Sequence, residues 1–212
     1  MAEVNLRREY THGELRREDL KPDPIDQFAL WFDQAQQAGL LEPNAMSLAT
    51  VSAAGQPSLR TVLMKSFDKA GFVFYTNLES RKSKEIGENA KVALLFPWIA
   101  LERQVIIAGQ AERISWAETA KYFLTRPRGS QIGAWVSNQS SVITSRKMLE
   151  EQFAHLLSKF AQGDVPLPSF WGGYRVKPTE IEFWQGRENR LHDRYMYRRQ
   201  ADDSWKIDCL SP

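Results

Sequence analysis

The stretch "AMSLATVSAAGQPSLRTVLMKSFDKAGFVFYTN", Ala45 to Asn77, is where the chain changes its period from helical to extended. It is rich in β-branched and aromatic residues, which suit a pleated, half-buried surface. Two turn signals, Ala54-Gly55-Gln56-Pro57 and Asp68-Lys69-Ala70-Gly71, divide it into three strands. Links this short join antiparallel neighbours, because a parallel pair needs a crossover of a dozen residues or more.

Upstream, Asp23 as N-cap and Pro24 at the first helical position open a helix. Ile25, Phe28, Ala29, Phe32 and Ala35 share one side of it, and Gly39 ends it. Residues 1–22 are polar, carry two Arg-Arg pairs and read as an N-terminal arm rather than core. Downstream, a short polar helix spans about Ser80–Asn89, and "KVALLFPW" and "ERQVIIAGQAERI" are two more strands. Residues 115–162 are helical in pieces: Ser115–Thr125, a break at Pro127, Ser130–Val136, and a longer helix from Thr144 to Ala161. The Pro/Gly-rich "GDVPLPSFWGGY" then returns the chain to strands, with a hairpin around Gly186–Asn189 and a last strand Ser204–Leu210. The fold class expected is mainly antiparallel β with flanking helices (α+β), closed into a barrel that leaves no open edge. Residues 23–212 form one domain in this reading.

Composition excludes several classes. A net charge of +2 is too small for a dedicated nucleic-acid binder. The single cysteine, Cys209, rules out an intrachain disulfide, and three scattered histidines give no metal-ligand spacing, so no metal is expected. The charged N-terminus has no apolar signal core, and no apolar run reaches the roughly 20 residues that span a bilayer. A cytoplasmic protein without membrane partners is expected. Arginines outnumber lysines 17 to 11, which fits either planar anionic ligands or loose surface ion pairs.

No glycine-rich phosphate loop and no G-x-S-x-G elbow is present, so any phosphate must be held by side-chain cations. Arg60 and Lys65 lie in one otherwise apolar run with opposite parity, so a regular strand cannot put them on one face; two rim charges at strand ends explain them equally well. Arg81 and Lys82 open a helix, where an anion would relieve their opposition to the dipole, or where solvent would. Tyr122 and Arg126 lie four apart on one helix face, and Ser130 stands to cap the next helix: a phosphate nest, or a plain helical corner. Ser137–Ser141, "SNQSS", is a polar loop able to bond a ligand or simply to turn.

The most unusual stretch is "IEFWQGRENRLHDRYMYRR", Ile181 to Arg199. Arg190, His192 and Arg194 share parity, so a continuous strand would project them together, and a five-residue loop would set Trp184 opposite Arg190. An indole beside two guanidiniums and an imidazole suits a flat, electron-rich, partly anionic ligand. The alternative is an Arg–Trp stack outside the barrel, with Glu188 and Asp193 as ion partners.

On these residues the chain resembles the pyridoxine/pyridoxamine 5'-phosphate oxidase family over nearly its whole length, from "LRREYTHGELRREDL" to "WKIDCLSP". Ile181, Glu182, Phe183, Trp184, Gln185, Arg190, Leu191, His192, Asp193 and Arg194 fill that family's signature without exception. The resemblance implies an FMN-binding split β-barrel, a homodimer with each FMN between subunits, and oxidation of pyridoxine 5'-phosphate and pyridoxamine 5'-phosphate to pyridoxal 5'-phosphate. It implies hydride transfer from substrate C4' to flavin N5, with O2 reduced to hydrogen peroxide and ammonia released from the amine. By position it implies FMN contacts at Arg60, Thr61, Val62, Leu63, Met64, Lys65, Tyr75, Thr76, Arg81, Lys82, Gln104, Gln139, Ser140, Trp184 and Arg194. It implies substrate contacts at Lys65, at Tyr122, Arg126 and Ser130 for the phosphate, and at Arg190, Leu191 and His192 over the ring. Arg190 and His192 are the catalytic pair in this reading, and Arg7, Arg8, Glu9 and Tyr10 belong to an arm that closes on the substrate. The family usually ends in R-L-[AS]-P, whereas Cys209 precedes Leu210 here, which removes an anion contact near the C-terminus. Two rivals remain at this point: a non-catalytic flavin or pyridoxal-phosphate binder on the same barrel, and an Arg-rich RNA-binding module.

Overall fold

The computed structural model describes residues 9–136, 139–140, 143 and 145–212. Nine strands form one antiparallel sheet: β1 (Ala45–Val51), β2 (Pro57–Leu63), β3 (Ser66–Asp68), β4 (Gly71–Asn77), β5 (Lys91–Trp98), β6 (Arg103–Arg113), β7 (Trp171–Gln185), β8 (Asp193–Arg199) and β9 (Trp205–Cys209). The helices are α1 (Pro24–Gln37), α2 (Arg81–Glu88), α3 (Trp116–Thr125), α4 (Arg128–Val136) and α5 (Arg146–Lys159). The main path through the sheet is β2-β1-β5-β6-β7-β4-β3, with β8 on β7 and β9 on β8.

The sheet curls but does not close. Among the described residues β2, β3 and β9 each pair on one side only, so the expected edgeless barrel is corrected to a half-barrel with open ends. The 45–77 stretch contains four strands rather than three. Its middle run breaks at Met64 and Lys65, where the Met64 N–H bonds Asn44 O (2.9 Å) and the Lys65 N–H bonds Val73 O (2.8 Å). The chain there leaves the neighbourhood of β1 for that of β4.

Helix α1 plugs the curl. Asp23 Oδ1 accepts from the Ile25 N–H at 2.7 Å, fixing the start as an N-cap should. Phe28 is fully buried, edge-on to Phe72 and Phe96 at 4.9 Å each, while Trp31 meets Phe183 at 5.2 Å. Burying one such ring is worth about 1.5–3 kcal/mol. Leu15 and Leu20 are also buried in this core, so the segment leading to α1 lies against the sheet instead of standing apart from it.

β7 dictates where function can sit. One edge of it pairs with β6 along nearly its full length. The other edge is shared: Trp171–Val176 pair with β4, and Glu180–Gln185 pair with β8. The two ends of this one strand therefore face two different neighbourhoods.

Candidate functional site

At the Trp171 end lies a cavity of about 970 Å³ bounded by β2, β4, α2, α3 and α4. Arg60, Thr61, Val62 and Leu63 reach it from β2, and Tyr75 and Thr76 from β4. Arg81 and Lys82 come from the first turn of α2. Lys65 lines it too, although its parity opposes that of Arg60; the break at Met64 turns it inward. Met64 itself is buried in the core and does not line the cavity.

The cations here are wired differently from one another. Glu85 accepts from Ser58 Oγ (2.6 Å), Arg81 Nε (2.7 Å) and Thr50 Oγ1, and its Oε2 lies 3.3 Å from Arg60 Nη2. Burial would raise the Glu85 carboxyl, but these donors outweigh it and hold the group at about 2. Arg60 and Arg81 are thereby oriented and partly neutralised. Lys82, only 7% exposed, touches neutral oxygens instead: Gln139 Oε1 (2.8 Å), Thr76 Oγ1 (3.1 Å) and Ser80 Oγ (3.4 Å). Burial, helped by the Arg60 charge, lowers its ammonium to about 8. A buried ammonium without a carboxylate is costly, and an anion in the cavity relieves that cost.

The far wall is aromatic. Tyr75 stacks on Tyr122 at 4.0 Å and 16°, and on Trp171 at 5.3 Å and 6°. Gly173 permits this, because a Cβ there would come within 2.8 Å of the Tyr75 ring. Burial raises both tyrosine hydroxyls above their ordinary range, keeping them neutral donors. The Arg126 guanidinium lies 4.6 Å over the Trp171 ring, and its Nη1 is buried with no hydrogen-bond partner among the described residues. That orphaned donor marks a second anion position. Ser130 lines the cavity but is not a cap: α4 begins at Arg128, and the Ser130 N–H already bonds Pro127 O at 2.8 Å.

At the other end of β7 a second cluster forms. Trp184 pairs with Arg194 across β7–β8, and with Gln104 across β6–β7. The expected five-residue loop is therefore longer, and Trp184 does not oppose Arg190. Asn189 (φ 55°) and Arg190 (φ 62°) are both left-handed, which no strand accommodates, so Arg190 and His192 precede β8 instead of alternating along it. The parity argument fails, yet proximity survives: His192 lies 4.6 Å from the Trp184 ring, and the Tyr10 ring is edge-on to both, at 5.7 and 5.8 Å. His192 Nδ1 accepts from the Arg187 N–H at 3.1 Å, so the neutral imidazole carries its proton on Nε2. Burial and then the Arg190 charge lower its pKa, with Arg194 adding to them against Asp193. Arg194 donates to Glu182 Oε1 (2.7 Å) and Ser211 O (2.8 Å), and that carboxylate raises its pKa. Arg190, Leu191 and Glu9 are exposed.

The two clusters lie toward opposite ends of β7, and Tyr10, Trp184 and His192 do not line the cavity. From 171 to 184 along β7, at about 3.3 Å per residue, is roughly 40 Å. Gln139 and Ser140 join the cavity, Ser140 Oγ accepting from the Arg81 N–H at 3.3 Å. Ser137, Asn138 and Ser141 of the polar loop, and Arg7 and Arg8 of the arm, lie outside the described residues. Sequence reasoning missed Trp171, whose signal was a tryptophan before two glycines at a strand start, and Glu85, which looked like any helix-surface acid.

Comparison with known proteins matches this arrangement to one family. Residues 32–159 match the family described as pyridoxamine 5'-phosphate oxidase, and residues 171–212 match the pyridoxine 5'-phosphate oxidase C-terminal dimerisation region. Among curated relatives, the pyridoxine/pyridoxamine 5'-phosphate oxidase of Rippkaea orientalis is 63% identical over 98% of both chains. That of Escherichia fergusonii is 59% identical over 99% of this chain and 95% of its own. Among solved structures, PhzG from Burkholderia lata, in complex with tetrahydrophenazine-1-carboxylic acid, superposes with a TM-score of 0.87 at 33% identity, covering 92% of this chain and 95% of its own. With matches that span both ends of β7 and nearly every residue between, the chain belongs to the pyridoxine/pyridoxamine 5'-phosphate oxidase family.

Proposed function

We propose that the protein oxidises pyridoxine 5'-phosphate and pyridoxamine 5'-phosphate to pyridoxal 5'-phosphate, using FMN as cofactor and O2 as electron acceptor. The observation that carries this is Lys82, a buried ammonium among neutral oxygens, in the same cavity as the orphaned Nη1 of Arg126. One cavity thus has two separate demands for an anion, and FMN with a phosphorylated pyridine supplies two phosphates. The donor set fits FMN: Arg60, Arg81 and Lys82 would hold its phosphate, with Thr76, Gln139 and Ser140 as neutral partners. Held there, FMN would supply the two-electron acceptor for the hydride lost from substrate C4', with oxygen as the final acceptor and hydrogen peroxide as its product.

The chain's own residues then bind and orient. Arg126, Tyr122 and Ser130 grip the substrate phosphate, and Lys65 reaches the same space. Arg190 steadies negative charge on the C4' substituent or ring oxygen, and His192 donates from Nε2. With the amine substrate an imine forms and water releases ammonia. The separation along β7 supports a homodimer in which the Trp184–His192 cluster of one copy completes the cavity of the other, with FMN between them. The arm carrying Tyr10 closes on the substrate in this reading.

The test is direct. The purified protein should carry flavin absorbance, and adding pyridoxine 5'-phosphate in air should yield pyridoxal phosphate and peroxide in equal amounts. Bound flavin without peroxide would leave a carrier, and a colourless protein would remove the cofactor assignment.

A further inference from the structure

Glu102 holds an unusual position between the arm and the hairpin that follows β7. It follows a 3-10 turn, Ile99–Leu101, and adopts φ 55°, a left-handed conformation that side chains other than glycine and asparagine seldom take. It is 2% exposed. Its backbone carbonyl accepts from the Gly186 N–H at 2.7 Å and from Gln185 Nε2 at 3.2 Å, which fixes the start of the hairpin. Its carboxylate turns to the arm: Oε2 accepts from the His12 N–H, and Oε1 lies against His12 Nδ1, both at 2.9 Å. One strained, buried residue thus grips both segments upstream of the next anchor, the Leu15 N–H bond to Asp193 Oδ2 at 2.9 Å. Two residues before His12, Tyr10 rests on Gly186, where an added Cβ would come within 2.8 Å of its ring.

We infer that Glu102 is a positioning residue for the substrate: through His12 it docks the arm so that Tyr10 stands over the Trp184–His192 face. The inference rests on the proposed oxidase reading. Its carboxylate holds the arm and its carbonyl the hairpin start, so its loss acts first on substrate capture. Gln at this position keeps an acceptor for the His12 N–H and offers its amide to Nδ1, whereas Ala keeps neither.

The experiment compares the full-length holoprotein with Glu102→Ala, Glu102→Gln and His12→Ala. Two measurements are made: steady-state kinetics with pyridoxine 5'-phosphate, and the rate of chymotryptic cleavage after Tyr10, read by mass spectrometry. Glu102→Ala is expected to raise KM about tenfold or more, the cost of losing a charge-assisted hydrogen bond, with kcat within about twofold. Arm cleavage should accelerate by a similar factor, and Glu102→Gln should restore both readings to near wild type. A Glu102→Ala protein with unchanged KM, or with an arm cleaved no faster than wild type, overturns the inference. If Glu102→Ala does not fold, His12→Ala decides in its place, because it leaves Glu102 and its turn intact. It should shift KM and cleavage in the same direction by a smaller factor, and wild-type values for both overturn the inference. Cleavage requires no turnover, so a wild-type protein inactive on this substrate would sink the oxidase reading while arm docking is still judged by protease.

Discussion

Replacing Lys82 with Met should make the empty protein more stable and the flavin complex weaker. The two signs come from the same burial. Lys82 is lowered from 10.5 to about 8, so its native ammonium is disfavoured by about 3 kcal/mol relative to the unfolded chain. Between pH 8 and 10.5 the unfolded chain holds this proton and the native chain does not, so stability rises with pH across that window. Below pH 8 the full penalty applies. Met fills a similar volume without charge, and losing the bonds to Thr76 and Gln139 offsets about 1 kcal/mol, which leaves a net gain of about 1–2 kcal/mol at pH 7. A phosphate held by Lys82 through a charge-assisted bond is worth about 1.5–3 kcal/mol, so the FMN dissociation constant should rise roughly 10- to 150-fold. Urea unfolding of the apoprotein at pH 7 and at pH 10, with flavin fluorescence titration at pH 7, reads both quantities. A variant that binds FMN within threefold of wild type, or whose apoprotein is destabilised at pH 7, would refute the assignment of Lys82 as a buried cation that an anion relieves.

Glu85 gives a slope of the same sign in the acid range, but there as a stabilisation lost on acidification rather than a penalty relieved by base. Its carboxyl is depressed to about 2, so about 3 kcal/mol of stability is present above pH 4.5 and lost as pH falls toward 2; Glu85→Gln should flatten urea midpoints across that interval. Arg190→Ala should lower kcat/KM by at least about a hundredfold while leaving FMN bound, because Arg190 lines none of the cavity that holds Lys82; near wild-type turnover would remove its role. Gly186→Ala should displace Tyr10 and raise KM with little change in melting temperature, measured by kinetics beside a thermal melt.

Local grammar carried far in this chain. The Asp23-Pro24 start of α1, the turn at Asp68–Gly71, and the alternation in β5 depend on neighbours in sequence, and the structure has them where the residues say. What failed was tertiary. Opposite parity separates Arg60 from Lys65 only if the strand is unbroken, and the break at Met64 is made by Asn44 and Val73, partners distant in sequence. Shared parity unites Arg190, His192 and Arg194 only if the strand continues, and two left-handed residues stop it. Chemical type pointed to anionic ligands in both cases, because guanidiniums and ammoniums keep their meaning whatever backbone presents them. Trp171 and Glu102 stayed hidden for another reason: each matters through contacts with residues far off in sequence, among them Arg126 and His12, that leave no periodic trace.

The division of β7 into two neighbourhoods has a consequence that separates composite sites from self-contained ones. Arg126 belongs to the Trp171 end and Arg190 follows the Trp184 end. If each site takes its cavity from one copy and its hairpin cluster from the other, a mixed dimer of Arg126→Ala and Arg190→Ala subunits has one site with both defects and one with neither. Equal mixing after reversible dissociation gives about half mixed dimers, each with one intact site of two, so about a quarter of wild-type activity should return. Sites built within single chains leave every site with one defect, and activity stays at the mean of the two parents. Arg126→Ala alone should act mainly on KM, since an anion lost from one guanidinium costs about 1.5–3 kcal/mol of binding, so the assay is run at substrate well below KM, where both parents are nearly silent. Recovery to about a quarter under those conditions would require two copies per site, whereas activity at the parental mean would place each site within one chain despite the roughly 40 Å run of β7 between its two clusters.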